Sequence, residues 1–286
     1  MRTFGLGTLG GIADYTNPAI SPDGNRVAVG VRDPGTAKRD IFVFDVERGT
    51  ETRVTFGGSD NTNPVWSPDG QRIAYSSDRR GARDLYVKKA SGIGEPELLY
   101  ESKLAKNVED WSQDGRWMVY NEAVPNNDDD LAVLSLADRK PHDFLRTRFQ
   151  EDRGKLSPDG KWMAYYSFES GQGQVCIQPF PPTGEKWQIT NSGGGEPQWR
   201  GDGKELYYAA KGRPRIMAVE IAVMDRALHA GIPHPLFDVA LVDQNVRNRF
   251  ALTRDGKKFL AVVAVIEKPV NSFTVIVNWP SLLPKR

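Results

Sequence analysis

Serine and aspartate recur two residues apart along this chain, as Ser21 with Asp23, Ser67 with Asp69, Ser112 with Asp114 and Ser157 with Asp159. A hydroxyl beside a carboxylate suggests hydrolytic chemistry, which needs a nucleophile and a base meeting at one substrate. Each pair, however, sits in the phrase Ser-Pro-Asp-Gly or a close variant, and related phrases end at Asp202-Gly203 and Asp255-Gly256. Proline presets φ at the second turn position, aspartate bonds its own backbone two residues on, and glycine accepts positive φ. Six copies spread along a chain cannot converge on one substrate. Asp23, Asp69, Asp114, Asp159, Asp202 and Asp255 are therefore expected to be structural turn residues, with no catalytic residue among them.

The other reactive side chains are scattered. His142, His229 and His234 fall in or beside the outermost apolar runs, and Cys176 lies alone in "QVCIQPF". One cysteine permits neither an intrachain disulfide nor a cysteine-based zinc site. The oxygen-rich stretch Asn126-Asn127-Asp128-Asp129-Asp130 lacks the ligand and glycine spacing of a calcium loop. No metal and no cofactor are expected. Gly5 to Gly10, "GLGTLG", fits a dinucleotide fingerprint, but Pro18 and a turn stand where the helix that meets the pyrophosphate must begin.

The turns set the architecture. Their glycines, Gly24, Gly70, Gly115, Gly160, Gly203 and Gly256, are spaced by 46, 45, 45, 43 and 53 residues, and self-similarity at such a period means stacked units. Alternating or aromatic-rich runs flank each turn, as in "NPVWSPDGQRIAYSSDRRGARDLYV", and period two with β-branched residues indicates strands. A third run and a short fourth one complete most repeats, which makes four antiparallel strands per unit, the blade of a β-propeller. The expected fold is all-β, a six-bladed propeller in one domain, residues 1–286. Its blades lie near 13–57, 58–101, 102–147, 148–191, 192–239 and 240–279. The last repeat lacks a fourth run, and Arg2 to Leu9 is strand-sized, so residues 2–9 are expected to pair as an N-terminal strand closing the last blade and hiding its edge.

Of the 286 residues, 39% are hydrophobic, enough for a core, and Lys+Arg exceed Asp+Glu by one, so no global field draws in nucleic acid. No apolar run suits a membrane span or a secretory signal. A monomer without direct membrane insertion is expected, as a whole protein or as part of a larger chain.

The repeat "NPVWSPDGQRIAYSSDRRGARDLYV" resembles the WD-like propeller repeat of the TolB family across essentially the whole chain. "GGEPQWRGDGKELYY" and "FTVIVNW" are similar to propellers on the C-terminal side of bacterial serine/threonine protein kinases, a resemblance that implies an extracytoplasmic sensor if such a kinase were membrane-bound. Related propellers precede the hydrolase domain of prolyl-oligopeptidase-type peptidases, but no G-x-S-x-G occurs here. The resemblance implies a non-catalytic binding, sensor or scaffold module for a protein, peptide or small ligand.

Antiparallel order puts the Ser-Pro-Asp-Gly turns on one rim and the variable loops on the other, where binding is expected. The loop arginines Arg79, Arg80, Arg83, Arg213 and Arg215 are candidates to meet an acidic partner. Seven residues before the turn glycines stand Asn17, Asn63, Val108, Arg153, Glu196 and Arg249. With Glu109, Asp110, Lys155 and Gln198 they would line a polar channel mouth suited to a zwitterionic ligand or a peptide end. The alternative is a hydrolase or lyase using a carboxylate pair such as Asp110 and Glu196 in the channel.

Overall fold

Alternation along the runs becomes strands throughout a computed structural model that describes residues 7–11, 13–124, 129–224, 227–242, 247–265 and 270–277. The strands group into two compact units, Met1–Val108 with Ala240–Asn278 and Glu109–Val239 with Trp279–Arg286. No described helix is long and apolar enough to cross a membrane.

The first sheet comprises Asp14–Ile20, Arg26–Arg32, Arg39–Asp45 and Glu51–Arg53. The second comprises Asn61–Trp66, Arg72–Arg80, Ala82–Lys89 and Glu97–Tyr100. The third follows with Lys106–Trp111, Trp117–Ala123, Asp129–Ser135 and Pro141–Leu145. In the fourth the strands are Glu151–Leu156, Trp162–Ser167, Gln174–Pro179 and Trp187–Gln188. Each is an antiparallel meander in chain order, as the repeat implied.

The fifth sheet departs from that plan. After Gly194–Trp199 and Glu205–Ala210, the third strand, Arg215–Met224, runs for ten residues. Its first half pairs with His234–Asp238 and its second half with Ala227–Ala230. Six equal four-stranded blades were expected, and this sheet has five strands. The added hairpin accounts for the long interval between Gly203 and Gly256.

The sixth sheet contains Phe250–Leu252, Lys258–Val265, Val270–Val277 and, at its edge, Gly7–Leu9. Gly7 lies opposite Val275 and Leu9 opposite Phe273, so the start of the chain supplies the outer strand that the sixth repeat lacks. Residues 2–6 of the expected closing strand lie outside the described residues.

Cores form where neighbouring sheets face each other within a unit. Ala28, Ile41 and Val43 of the first sheet pack on Trp66, Ile73 and Tyr75 of the second. Val119, Leu131 and Val133 of the third pack on Leu156, Met163 and Tyr165 of the fourth. Each such valine, leucine, isoleucine or methionine side chain contributes about 1.5–3 kcal/mol by leaving water. Tryptophans just before the turns pack between sheets and also act as donors. Trp66 Nε1 donates to Ala19 O at 2.9 Å and Trp199 Nε1 to Lys155 O at 3.0 Å, each reaching the preceding sheet.

The turns are built as their residue types dictate. Ser67 Oγ donates to Asp69 Oδ1 at 2.5 Å, the Gln71 amide donates to the same oxygen at 3.0 Å, and the Arg72 amide donates to Ser67 Oγ at 2.9 Å. Ser21, Ser112, Ser157 and Thr253 bond Asp23, Asp114, Asp159 and Asp255 in the same way. In the fifth repeat the Arg200 guanidinium takes the hydroxyl's place on Asp202, at 2.8 and 2.9 Å. Hydrogen bonding by Ser67, Thr253 and Arg200 holds Asp69, Asp255 and Asp202 below the usual carboxylate range.

Candidate functional site

The strand entries carry a backbone device that propensity does not announce. Asn17, Asn63, Arg153 and Glu196 have φ of 52°, 55°, 55° and 58°, left-handed values that asparagine tolerates and that cost arginine or glutamate free energy. At each, the pairing of first and second strand slips, between Thr16 and Ala19, Thr62 and Val65, Asp152 and Lys155, and Gly195 and Gln198. These are β-bulges, which re-aim a side chain at a sheet edge.

In the first unit the bulges feed a buried asparagine network. Asn17 Nδ2 donates to Asn63 Oδ1 at 2.8 Å and to Thr62 Oγ1 at 3.2 Å. Asn17 Oδ1 accepts the Arg247 and Asn248 amides, both at 3.0 Å. Asn17 and Asn63 are 3% and 4% exposed, and their bonds tie strand entries together. Arg249 Nη1 reaches Val242 O at 3.5 Å.

In the second unit the candidate charges are engaged by neighbouring backbone and side chains. Lys155 Nζ donates to Glu109 O, and Asp110 Oδ2 accepts the Leu156 amide at 2.9 Å. Desolvation pushes the Asp110 carboxyl up, against the pull of the Lys155 ammonium. Arg153 Nη1 donates to Asp152 Oδ1 at 2.7 Å, and its guanidinium lies 5.1 Å over the Tyr166 ring. Glu196 is 3% exposed and Gln198 half-buried. These groups can clamp one sheet to the next.

Sequence reasoning missed a second polar position, nine residues before the turn glycines Gly70, Gly115 and Gly160. There the side chain entering one sheet meets the acid that opens the third strand of the sheet before it. Asn61 Nδ2 donates to Asp40 Oδ1 at 3.0 Å. One repeat later, fully buried Lys106 donates to Asp84 Oδ1 at 3.0 Å and to Leu104 O at 2.6 Å. The next repeat puts Glu151 in that position, with Asp130 as the corresponding acid. Glu151, 2% exposed, is pushed up to about 7 by burial, with Asp130 adding to the rise, although Thr147 Oγ1 bonds both its oxygens at 2.9 Å. Asp130 is raised as well, by burial. In the fourth repeat Gln174 takes the acid's place, and its Oε1 accepts from Thr190 Oγ1 and the Gly193 amide. The signal lay in the register: a lysine and a glutamate occupy equivalent strand positions, and an aspartate recurs at Asp40, Asp84 and Asp130.

Of the arginines expected on loops, only Arg213 lies between strands, since Arg79, Arg80, Arg83 and Arg215 stand at strand ends where the pairing extends further than the sequence pattern implied; Arg80 pairs with Glu101 at 3.4 Å, and Arg215 Nη2 donates to Asp238 Oδ2 at 3.1 Å. Arg79 is exposed and stacks 5.4 Å over the Tyr86 ring, Arg83 is half-buried near Asp60, and Arg213 is exposed. Asn126, Asn127 and Asp128 lie outside the described residues. Among the described residues no group of three His, Cys, Asp or Glu is placed to hold a metal ion.

A family model described as the TolB beta propeller domain matches residues 11–153, half of the chain. The chain belongs to the TolB beta propeller family. Its fold is an all-β propeller with four antiparallel strands per blade. A protein assigned as TolB from Agrobacterium tumefaciens is similar at a TM-score of 0.70 and 19% identity, covering 96% of this chain and 91% of that one. TolB from Acinetobacter baumannii is similar at 0.66 and 19% identity, covering 89% of this chain and 64% of that one. An oligogalacturonate lyase in complex with manganese is similar at 0.63 and 14% identity, covering 96% and 77%. Identities this low speak for the fold alone. No curated protein sequence matches the chain.

Proposed function

We propose that this propeller is a non-catalytic binding module of six blades, recognising a protein, peptide or small ligand through its strand-connecting loops. One observation carries the reading. Charged groups at the strand entries are engaged with the protein itself, as Lys155 with Glu109 O and Arg153 with Asp152 are, whereas the cations Arg79, at the end of its strand, and Arg213, in a bend between strands, are exposed. Rigid scaffold with changeable loops is the arrangement binding proteins use. The likeness of "GGEPQWRGDGKELYY" and "FTVIVNW" to kinase-linked propellers fits a sensor or scaffold role.

A thermal-shift screen of acidic, basic and neutral peptides and zwitterionic small molecules tests this. One class should stabilise the wild type and lose its effect when Arg79→Ala and Arg80→Ala are combined in one variant, or with Arg213→Ala. Equal shifts in wild type and variants would remove the loops from the role, and equal shifts in Arg153→Ala would remove the strand entries.

A second reading, a hydrolase or lyase, is favoured by Glu151, whose carboxyl near 7 is in the range of a general acid or base. Turnover of an oligosaccharide or peptide by the wild type that Glu151→Gln abolishes would displace the binding reading.

A further inference from the structure

On the turn side of the first unit, between the first and second sheets, lies a cleft of about 580 Å³ whose charge is one-sided. Arg26, Arg48, Arg72 and Lys89 line it against a single carboxylate, Asp45. That carboxylate is already engaged, since Asp45 Oδ1 accepts the Glu47 and Arg48 amides at 3.1 and 2.8 Å. The nearby turn acids, Asp23 and Asp69, interact with Arg26 and Arg72 but are held by their own serines. The cations therefore outweigh the acids within the cleft.

Part of this lining is preorganised. Arg26 Nη2 donates to Gly70 O at 2.8 Å, and its guanidinium lies 4.7 Å over the Trp66 ring. Trp66 is fixed in turn by its bond to Ala19 O. A side chain at Gly70 would crowd this arginine, because a Cβ there would come within 3.2 Å of Arg26 Nη2.

Repeat geometry alone does not produce the charge. In the second unit a cleft of about 780 Å³ between the fourth and fifth sheets, also on the turn side, is lined by Asp159, Asp202, Glu205 and Glu220 against Arg200 and Lys204. The shape recurs while the sign reverses, so the four cations of the first unit are a property of their own residues.

We propose that the cleft between the first and second sheets binds a multiply charged oxyanion, presented as a phosphate or polycarboxylate group of a ligand. Guanidinium forks match such oxygens bidentately, and an ammonium adds a point charge. A concave wall of one sign concentrates the field on the ligand. The Thr50 and Thr52 hydroxyls in the lining add donors for the remaining oxygens. This site is independent of the loop reading above, from which it differs in rim.

Isothermal titration of the full chain with tripolyphosphate and, separately, citrate tests it, at about 20 mM and about 150 mM salt. At least one anion should bind saturably at one site and more weakly at the higher salt. Combining Arg48→Gln with Lys89→Gln should weaken binding at least about fivefold, as expected for losing charge-assisted bonds. Both residues are exposed, so the melting temperature without anion should stay unchanged. Arg116→Gln, an exposed arginine of another sheet, should leave affinity unaltered. Preference for tripolyphosphate assigns a phosphate ligand and preference for citrate a polycarboxylate. Absence of saturable binding by both anions, a loss smaller than fivefold in the double variant, or an equal loss in Arg116→Gln overturns the proposal.

Discussion

Replacing Glu151 by glutamine should stabilise the protein above neutral pH. The wild-type carboxyl is pushed from 4.5 up to about 7, first by burial and then by Asp130. For an acid, a raised folded-state value means that the native protein binds the proton more tightly than the unfolded chain does. Its contribution is fully present below about 4.5 and is lost as pH climbs toward 7. A displacement of about 2.5 units corresponds to about 3 kcal/mol at pH 8. Glutamine removes the charge and keeps an oxygen for the Thr147 hydroxyl, so Glu151→Gln should match the wild type near pH 4.5 and exceed it by up to about 3 kcal/mol at pH 8. Urea unfolding of both proteins at pH 4.5, 6 and 8 measures the difference. A gap that does not grow with pH, or a variant less stable at pH 8, would refute the reasoning.

Lys106→Met leaves Asp84, 4% exposed, as a buried charge without its ammonium and should cost about 3–5 kcal/mol in urea unfolding, and adding Asp84→Asn should recover part of that loss. Arg139, whose φ is 56°, should yield a protein about 0.5–1 kcal/mol more stable when changed to glycine, seen as a higher urea midpoint. Asp69→Ala should lower stability by about 1 kcal/mol at pH 7 by removing the bonds from Ser67 and Gln71. Because hydrogen bonding to Ser67 depresses the Asp69 carboxyl, that deficit should shrink as pH falls below about 4, when the wild type too becomes protonated.

The turns were legible because their chemistry is local: serine, aspartate and glycine bond within six residues, and period two between turns names the strands. The edge strand Gly7–Leu9 was legible from a missing fourth run. The bulges at Arg153 and Glu196 were not, since neither residue type favours left-handed backbone, although Asn17 and Asn63 at equivalent positions were a hint. Lys155 and Asp110 read as groups awaiting a ligand, because no sequence pattern reveals that Glu109 O and the Leu156 amide of neighbouring strands satisfy them. Lys106 and Glu151 carry no signal of their own in the sequence. The link that folds back over them, burying both, is a tertiary fact. The added hairpin of the fifth sheet was hidden in a long interval that gave a count but no geometry.

The position nine residues ahead of Gly70, Gly115 and Gly160 has a further consequence for assembly. Asparagine meets aspartate at one boundary, lysine meets aspartate at the next, and glutamate meets aspartate at another, so blades that share a shape carry different keys. Moving the strand that begins at Glu151 into the slot of the one that begins at Lys106 would bring a carboxylate against Asp84 with no counter-charge. Sheets that share a shape thus disfavour one another's neighbours, and the sequence of neighbouring sheets is written into these contacts as well as into the covalent chain.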